Sequence, residues 1–240
     1  YSASYIGYGD GKVYVEYNGR IEAFDETTLE PVWISEELSH EETNSETGKT
    51  TTVDDTIASR LFYDDGHLYF GTGKNSGSGK YYVIDTKSEK KEDATKTEEI
   101  KNVKEIISSE GSFYLKNAVK VGQYIITSDN QGTISSIDTK NNDKVVSTKE
   151  IGKRFSGGIA YDKTTNMIYF VAGTNDLYGV KVGNDGTFGE EKSVRVYETG
   201  YSAMTPEVYN GKVYVSGCVG TSPFSDKGYL AVVDVQSEQY

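Results

Sequence analysis

The sequence predicts an all-β chain folded as a β-propeller of four-stranded antiparallel blades. Three observations carry that prediction. One unit recurs five times, hydrophobic residues alternate with period two inside each unit, and no segment of ten or more residues shows a helical stripe. A chain of 240 residues can bury a large core as one such domain.

The five copies are GDGKVYVEYNGRIEAFD (9–25), DDGHLYFGTGKNSGSGKYYVID (64–85), VGQYIITSDNQGTISSID (121–138), TTNMIYFVAGTNDLYGVK (164–181) and NGKVYVSGCVGTSPFSDKGYLAVVD (210–234). Each opens on a turn at Gly11, Gly66, Gly122, Asn166 or Gly211, residue types that accept φ > 0 in a tight hairpin. A strand follows, and aligning the copies on that turn places Tyr14, Tyr69, Ile125, Tyr169 and Tyr214 at one position. A second turn leads to a strand closing on Asp25, Asp85, Asp138, Lys181 or Asp234. Before each hairpin stands a short strand (ASYIGY, SRLFYD, LKNAVKV, GGIAYD, TPEVYN). After most of them comes another (PVWIS, VKEIIS, KVVSTKE, SVRVYE).

This reading makes residues 1–240 a single domain with blades at about 1–36, 57–109, 112–151, 156–198 and 203–240. The last blade lacks its fourth strand. Either a strand from elsewhere completes it, or the chain is a fragment of a larger ring. The opening YSASYIGYG has no methionine, so a processed or excised piece is expected. The charged stretch 86–106 reads as a solvated excursion between two strands. The polar insertion 35–55 reads as a mobile surface loop, with partner binding as the alternative.

The stretch AFDETTLEPVW (23–33) ends on the only tryptophan of the chain. Ala23, Asp25, Thr28 and Trp33 match the repeat motif of the quinoprotein-type (PQQ-like) propellers: Ala, any residue, Asp, two residues, Thr, Gly, three residues, Trp. Leu29 stands where that motif has glycine. The chain resembles this family as a repeat pattern throughout, and specifically in its first unit. The resemblance implies that the indole docks flat between neighbouring blades, against the small residue and a backbone peptide of the next repeat. It also implies that Asp25 and Thr28 fix the turn between third and fourth strands. The later units carry aliphatic residues such as Val146 in place of the indole. The segments YDKTTNMIYF, GTFGEEKSV and TPEVYNGKVYVSG are similar to propeller domains of large surface proteins from gut-dwelling Clostridia, which implies an extracellular or cell-surface location.

Quinone-dependent members of the family hold their cofactor with adjacent cysteines, a stacking tryptophan and acidic calcium ligands. Here there is one cysteine and no second tryptophan, so no cofactor is expected. Cys218, in the apolar run VYVSGCVG, reads as a small buried side chain in a strand. One Cys and two distant histidines, His40 and His67, are too few for a zinc site and suggest no catalytic triad. GTGKNSGSGK (71–80) misses the phosphate-loop spacing, because Tyr81 follows Gly79-Lys80 and Lys74 stands where a glycine is required. Asp64-Asp65-Gly66, Asp129-Asn130-Gln131-Gly132 and Asn184-Asp185-Gly186 read as turns, with calcium as the minority reading.

A net charge of −12 repels phosphate backbones and anionic lipid, so nucleic acid is not an expected partner. No apolar run of 18 residues exists, and no membrane insertion by this domain is expected. The function expected is a non-enzymatic scaffold or binding module of a secreted or cell-surface bacterial protein, with a protein or glycan ligand. The alternatives are a carbohydrate-recognition propeller, marked by exposed tyrosines on one loop face, and an enzyme with its site in the central channel.

Overall fold

The structure, a computed structural model, describes residues 5–17, 19–87, 99–100 and 103–236. The chain forms two compact units, Tyr1–Tyr114 and Leu115–Tyr240. Among the described residues every regular element is a β-strand.

The first unit contains β1 (Ile6–Gly9), β2 (Lys12–Tyr17), β3 (Arg20–Asp25), β4 (Pro31–Ser35), β5 (Ser39–Thr43), β6 (Thr50–Asp54), β7 (Phe62–Asp64), β8 (His67–Gly71), β9 (Gly79–Asp85), β10 (Glu99–Ile100) and β11 (Val103–Ser109). Sheet one runs β1-β2-β3-β4, antiparallel throughout, with β10 added parallel to β4. Sheet two runs β7-β8-β9-β11, also antiparallel.

The second unit contains β12 (Ala118–Val121), β13 (Tyr124–Ser128), β14 (Thr133–Asp138), β15 (Lys144–Glu150), β16 (Ala160–Asp162), β17 (Met167–Ala172), β18 (Asp176–Val182), β19 (Phe188–Arg195), β20 (Gly200–Tyr201), β21 (Glu207–Tyr209), β22 (Lys212–Val219) and β23 (Gly228–Asp234). Sheets three and four are the meanders β12-β13-β14-β15 and β16-β17-β18-β19. In sheet five, β20 and β21 pair with two halves of β22, and β23 lies on its other side.

Turn chemistry sets the register. Asp10-Gly11, Asp65-Gly66 and Asn210-Gly211 have positive φ at both residues, the type I′ geometry that matches strand twist. At Gly122 only the first turn residue, with φ of 61°, is left-handed, and Gln123 is not; this is the type II′ pattern. The glycine therefore sits one place earlier in the third hairpin. Lys12 pairs with Asp25 and His67 with Asp85, but Tyr124 pairs with Asp138. Ile126, not Ile125, occupies the place of Tyr14. Matching glycines across two turn types shifts that alignment by one residue.

With this register the packing repeats. Tyr14, Ile21, Ala23 and Trp33 of sheet one pack against Leu68, Phe70 and Ile84 of sheet two. In the second unit, Tyr124 and Ile126 of sheet three meet Ile168, Phe170 and Val180 of sheet four. The opposite face of sheet four, with Tyr169, Val171 and Leu177, covers Val213 and Val215 of sheet five. Each large side chain buried this way contributes roughly 1.5–3 kcal/mol of transfer free energy. Close approach is needed as well: a β-carbon on Gly9 would overlap the ring of Tyr63, which stacks on Tyr14.

Several expectations need correction. The insertion 35–55 is not an irregular loop but the hairpin β5-β6, with Ser39 opposite Asp54 and Thr43 opposite Thr50. Asn44 builds its turn by accepting the amides of Glu46 and Thr47, and the β-branched threonines of β6 favour extended backbone. Leu38, buried at its base, donates its amide to the Gly19 carbonyl. The fourth strand of repeat four begins at Phe188 rather than in SVRVYE, because β18 continues to Val182 and pairs there with Phe188. Cys218 lies in β22 as expected but is only half-buried, since it shares the outward face of sheet five with Tyr214 and Ser216. Most of the excursion 86–106 lies outside the described residues.

Candidate functional site

The four residues singled out in the sequence come together at the corner between β3 and β4. Ala23 pairs directly with Trp33 across the two strands. The indole is 2% exposed and sits in the cluster between sheets one and two, 5.7 Å from the ring of Tyr14. Its Nε1–H has no hydrogen-bond partner among the described residues. Asp25 Oδ1 accepts the amides of Thr27 and Thr28 at 2.9 and 2.8 Å, and the Thr28 hydroxyl at 3.2 Å. These donors, the Thr28 amide foremost, hold the Asp25 carboxyl below the usual carboxylate range. Leu29 adopts φ of 57°. The constellation is a corner and an inter-sheet plug, and presents no reacting group.

The other polar motifs are turns. Asp129 Oδ1 accepts the amides of Gln131, Gly132 and Thr133, and Asp185 Oδ1 accepts the amide and hydroxyl of Thr187. Residues 72–78 of GTGKNSGSGK link β8 to β9, with a strand and not a helix following. His67 begins β8, opposite Asp64 and Asp85. Among the described residues, no three His, Cys, Asp or Glu side chains converge as a metal-ligand group would.

Sequence reasoning missed three features of the second unit. First, Lys116 is 1% exposed and donates from Nζ to the Phe155 carbonyl at 2.9 Å. Burial, with help from the Arg154 charge and against the Asp129 carboxylate, lowers its ammonium pKa to about 8. Its neighbour Asn117 accepts the Ile159 amide and donates to the Ile159 carbonyl, so the pair ties the lead into β12 to the next sheet. Nothing in LKNAVKV marks that lysine as internal.

Second, aromatic rings gather at one end of sheet five. Tyr197 stacks on Tyr229 with centroids 4.7 Å apart and planes 8° from parallel. The Tyr229 hydroxyl donates to Asn175 Oδ1, while Asn175 Nδ2 donates to the Tyr197 carbonyl. Tyr201 and Ser156 share a hydroxyl–hydroxyl bond of 3.1 Å. Because Tyr201 pairs with Cys218 in β22, this group flanks the loop from β22 to β23, where Phe224 is 93% exposed.

Third, a cleft of about 410 Å³ opens between sheet four and the end of β23. Tyr169, Lys181, Glu190 and Lys192 form its wall on sheet four, and Val235 and Gln236 its other side.

Neither a protein-family model nor any curated protein matches the chain. Solved structures do. The WD40 domain of Pan2 from Neurospora crassa aligns over 98% of this chain and 63% of its own length, at 13% identity and a TM-score of 0.57. WD40 domains are rings of four-stranded antiparallel blades.

The fold is a β-propeller.

The computationally designed Ika8 protein is also similar, at 10% identity and a TM-score of 0.52, over 97% of this chain and 71% of the designed one. The propeller described here thus spans about two thirds of the length of these two structures. At such identities the likeness is one of fold alone.

Proposed function

We propose that this propeller is a non-enzymatic binding module of a secreted or cell-surface bacterial protein, built from blades of the PQQ-like type. The blade type is supported by the Ala23, Asp25, Thr28 and Trp33 corner, the location by the resemblance of the later repeats. The single observation that carries the binding role is the aromatic end of sheet five. Phe224 at 93% exposure and Tyr197 at 40% are apolar groups offered to solvent, and Asn175 ties Tyr197 to Tyr229 by hydrogen bonds. Exposed aromatics on a fixed support are the usual anchors of protein recognition. A glycan is the second reading, because the Tyr197–Tyr229 stack offers a flat ring at the same end of sheet five as the bonded hydroxyls of Tyr201 and Ser156.

Arrays of extracellular proteins and of glycans, probed with the purified chain, test the proposal. A ligand whose affinity falls at least tenfold in both Phe224→Ala and Tyr197→Ala, with melting temperature preserved, is the expected result. Ligands indifferent to both substitutions, or turnover of a substrate by the chain, would overturn it.

A further inference from the structure

The aromatic end of sheet five adjoins a group of cations, and one dipeptide holds both. Asn175, fully buried, donates to the Tyr197 carbonyl and accepts the Tyr229 hydroxyl. The next residue, Asp176, has its side chain 13% exposed and accepts from Arg195 Nε and, at 3.0 Å, from Lys153 Nζ. Arg195 pairs with Asp176 across β19 and β18. Tyr197 lies two residues further on, at most about 7 Å along the chain.

The aromatic platform is seated on backbone. A β-carbon on Gly200 or Gly217 would overlap the ring of Tyr229, so these two glycines let that ring lie close against the strands. Tyr229 covers one face of the Tyr197 ring, and Tyr197 remains 40% exposed, so its other face is offered to solvent. Tyr201, directly after Gly200, contributes a hydroxyl bonded to Ser156.

The charge of this end differs from that of the chain. Segments 151–158, 173–176, 195–203 and 220–227 are joined by backbone bonds from Gly173 to Arg154, Ser202 to Thr174 and Gly220 to Thr199. They carry Lys153, Arg154, Arg195 and Lys227 against Asp176, Glu198 and Asp226, in a protein of net charge −12. Asp176 answers two cations with one carboxylate. Among the described residues Arg195 bonds only through Nε, which leaves both of its Nη groups for an acceptor.

We propose that the aromatic end binds a glycan whose sugars carry carboxylates. This deepens, and rests on, the glycan reading of that end. A uronate ring has an apolar face of C–H groups, a carboxylate at its edge and hydroxyls around its rim. The face stacks on Tyr197, the carboxylate meets Arg195 and Lys153, and the rim reaches the hydroxyls of Tyr201 and Ser156. A neutral sugar would leave the Arg195 Nη groups unmet. An acidic peptide would satisfy the cations without using the flat ring.

The probe is hexagalacturonate, titrated calorimetrically into the full chain with EDTA present, beside a neutral hexasaccharide, a sulfated one and hexaglutamate. Saturable binding of the uronate is expected, weakening as salt rises and at least tenfold tighter than that of the other three. Arg195→Gln and Tyr197→Ala should each weaken it at least tenfold with melting temperature preserved. If Arg195→Gln does not fold, Lys153→Gln is used with the same expectation. No binding at millimolar uronate, equal binding of any of the other three, or indifference to either substitution would overturn the proposal. A protein or neutral glycan that requires Tyr197 and Phe224 but not Arg195 would also overturn it, and would leave the binding role itself standing.

Discussion

The indole of Trp33 and the phenol of Tyr14 lie 5.7 Å apart, tilted by 40°, and together close one face of sheet one against sheet two. Truncating the indole leaves a cavity lined by Ile21, Leu68 and Phe70, which rigid strands cannot collapse. Trp33→Ala should cost about 3–5 kcal/mol, measured by urea unfolding. Trp33→Phe should cost clearly less, because the unpaired buried N–H leaves with the indole. An alanine variant melting within a degree or two of the parent would contradict this role.

Leu29 is 66% exposed and held at φ of 57°, a conformation that crowds its β-carbon against the backbone. Glycine relieves that crowding, at the expense of greater freedom in the unfolded chain. Leu29→Gly should therefore stabilise the protein by about 0.5–1 kcal/mol, seen as a small rise in melting temperature. A fall would show that the leucine side chain contributes more than its exposure suggests.

Lys116 makes stability depend on pH in an unusual direction. Its pKa is about 8 folded against an ordinary 10.5, so between those values the unfolded chain binds more protons and stability rises with pH. Below about 8 both states carry the charge and the folded state bears its full desolvation cost. Above an ordinary tyrosine pKa of 10.0 the effect reverses, since burial pushes Tyr14 up to about 12 and unfolding releases its proton. Urea midpoints should climb from pH 8 to 10, and Lys116→Met should flatten that climb. An unchanged slope in the variant would rule the lysine out as its source.

Much of the fold was legible because hairpin turns announce themselves. Asp10-Gly11, Asp65-Gly66 and Asn210-Gly211 admit few backbone geometries, and each fixes the strands on both sides. Gly122 misled by one place because a glycine alone does not say which turn position it fills. The hairpin β5-β6 was hidden by its polarity: Thr50, Thr51 and Thr52 have strand propensity but no apolar alternation, since most of the hairpin is exposed. Lys116 and Asn175 were beyond reach for a different reason. Their burial is decided by partners 39 residues away at Phe155 and 54 away at Tyr229, contacts that no local pattern encodes.

The central claim is that, among the described residues, the face at the Tyr14 position is sealed in sheets one to four and half-open in sheet five. Tyr14 is 0% exposed and Tyr69 and Tyr169 are 1% exposed, whereas Tyr214 is half-buried on an outward face. Hydroxyl-radical footprinting read by mass spectrometry measures all four tyrosines in one sample. Tyr214 should be oxidised at least several-fold faster than Tyr14, Tyr69 and Tyr169 in the folded chain, with the difference vanishing in denaturant. Equal protection at Tyr214, or rapid oxidation at the other three, would contradict it.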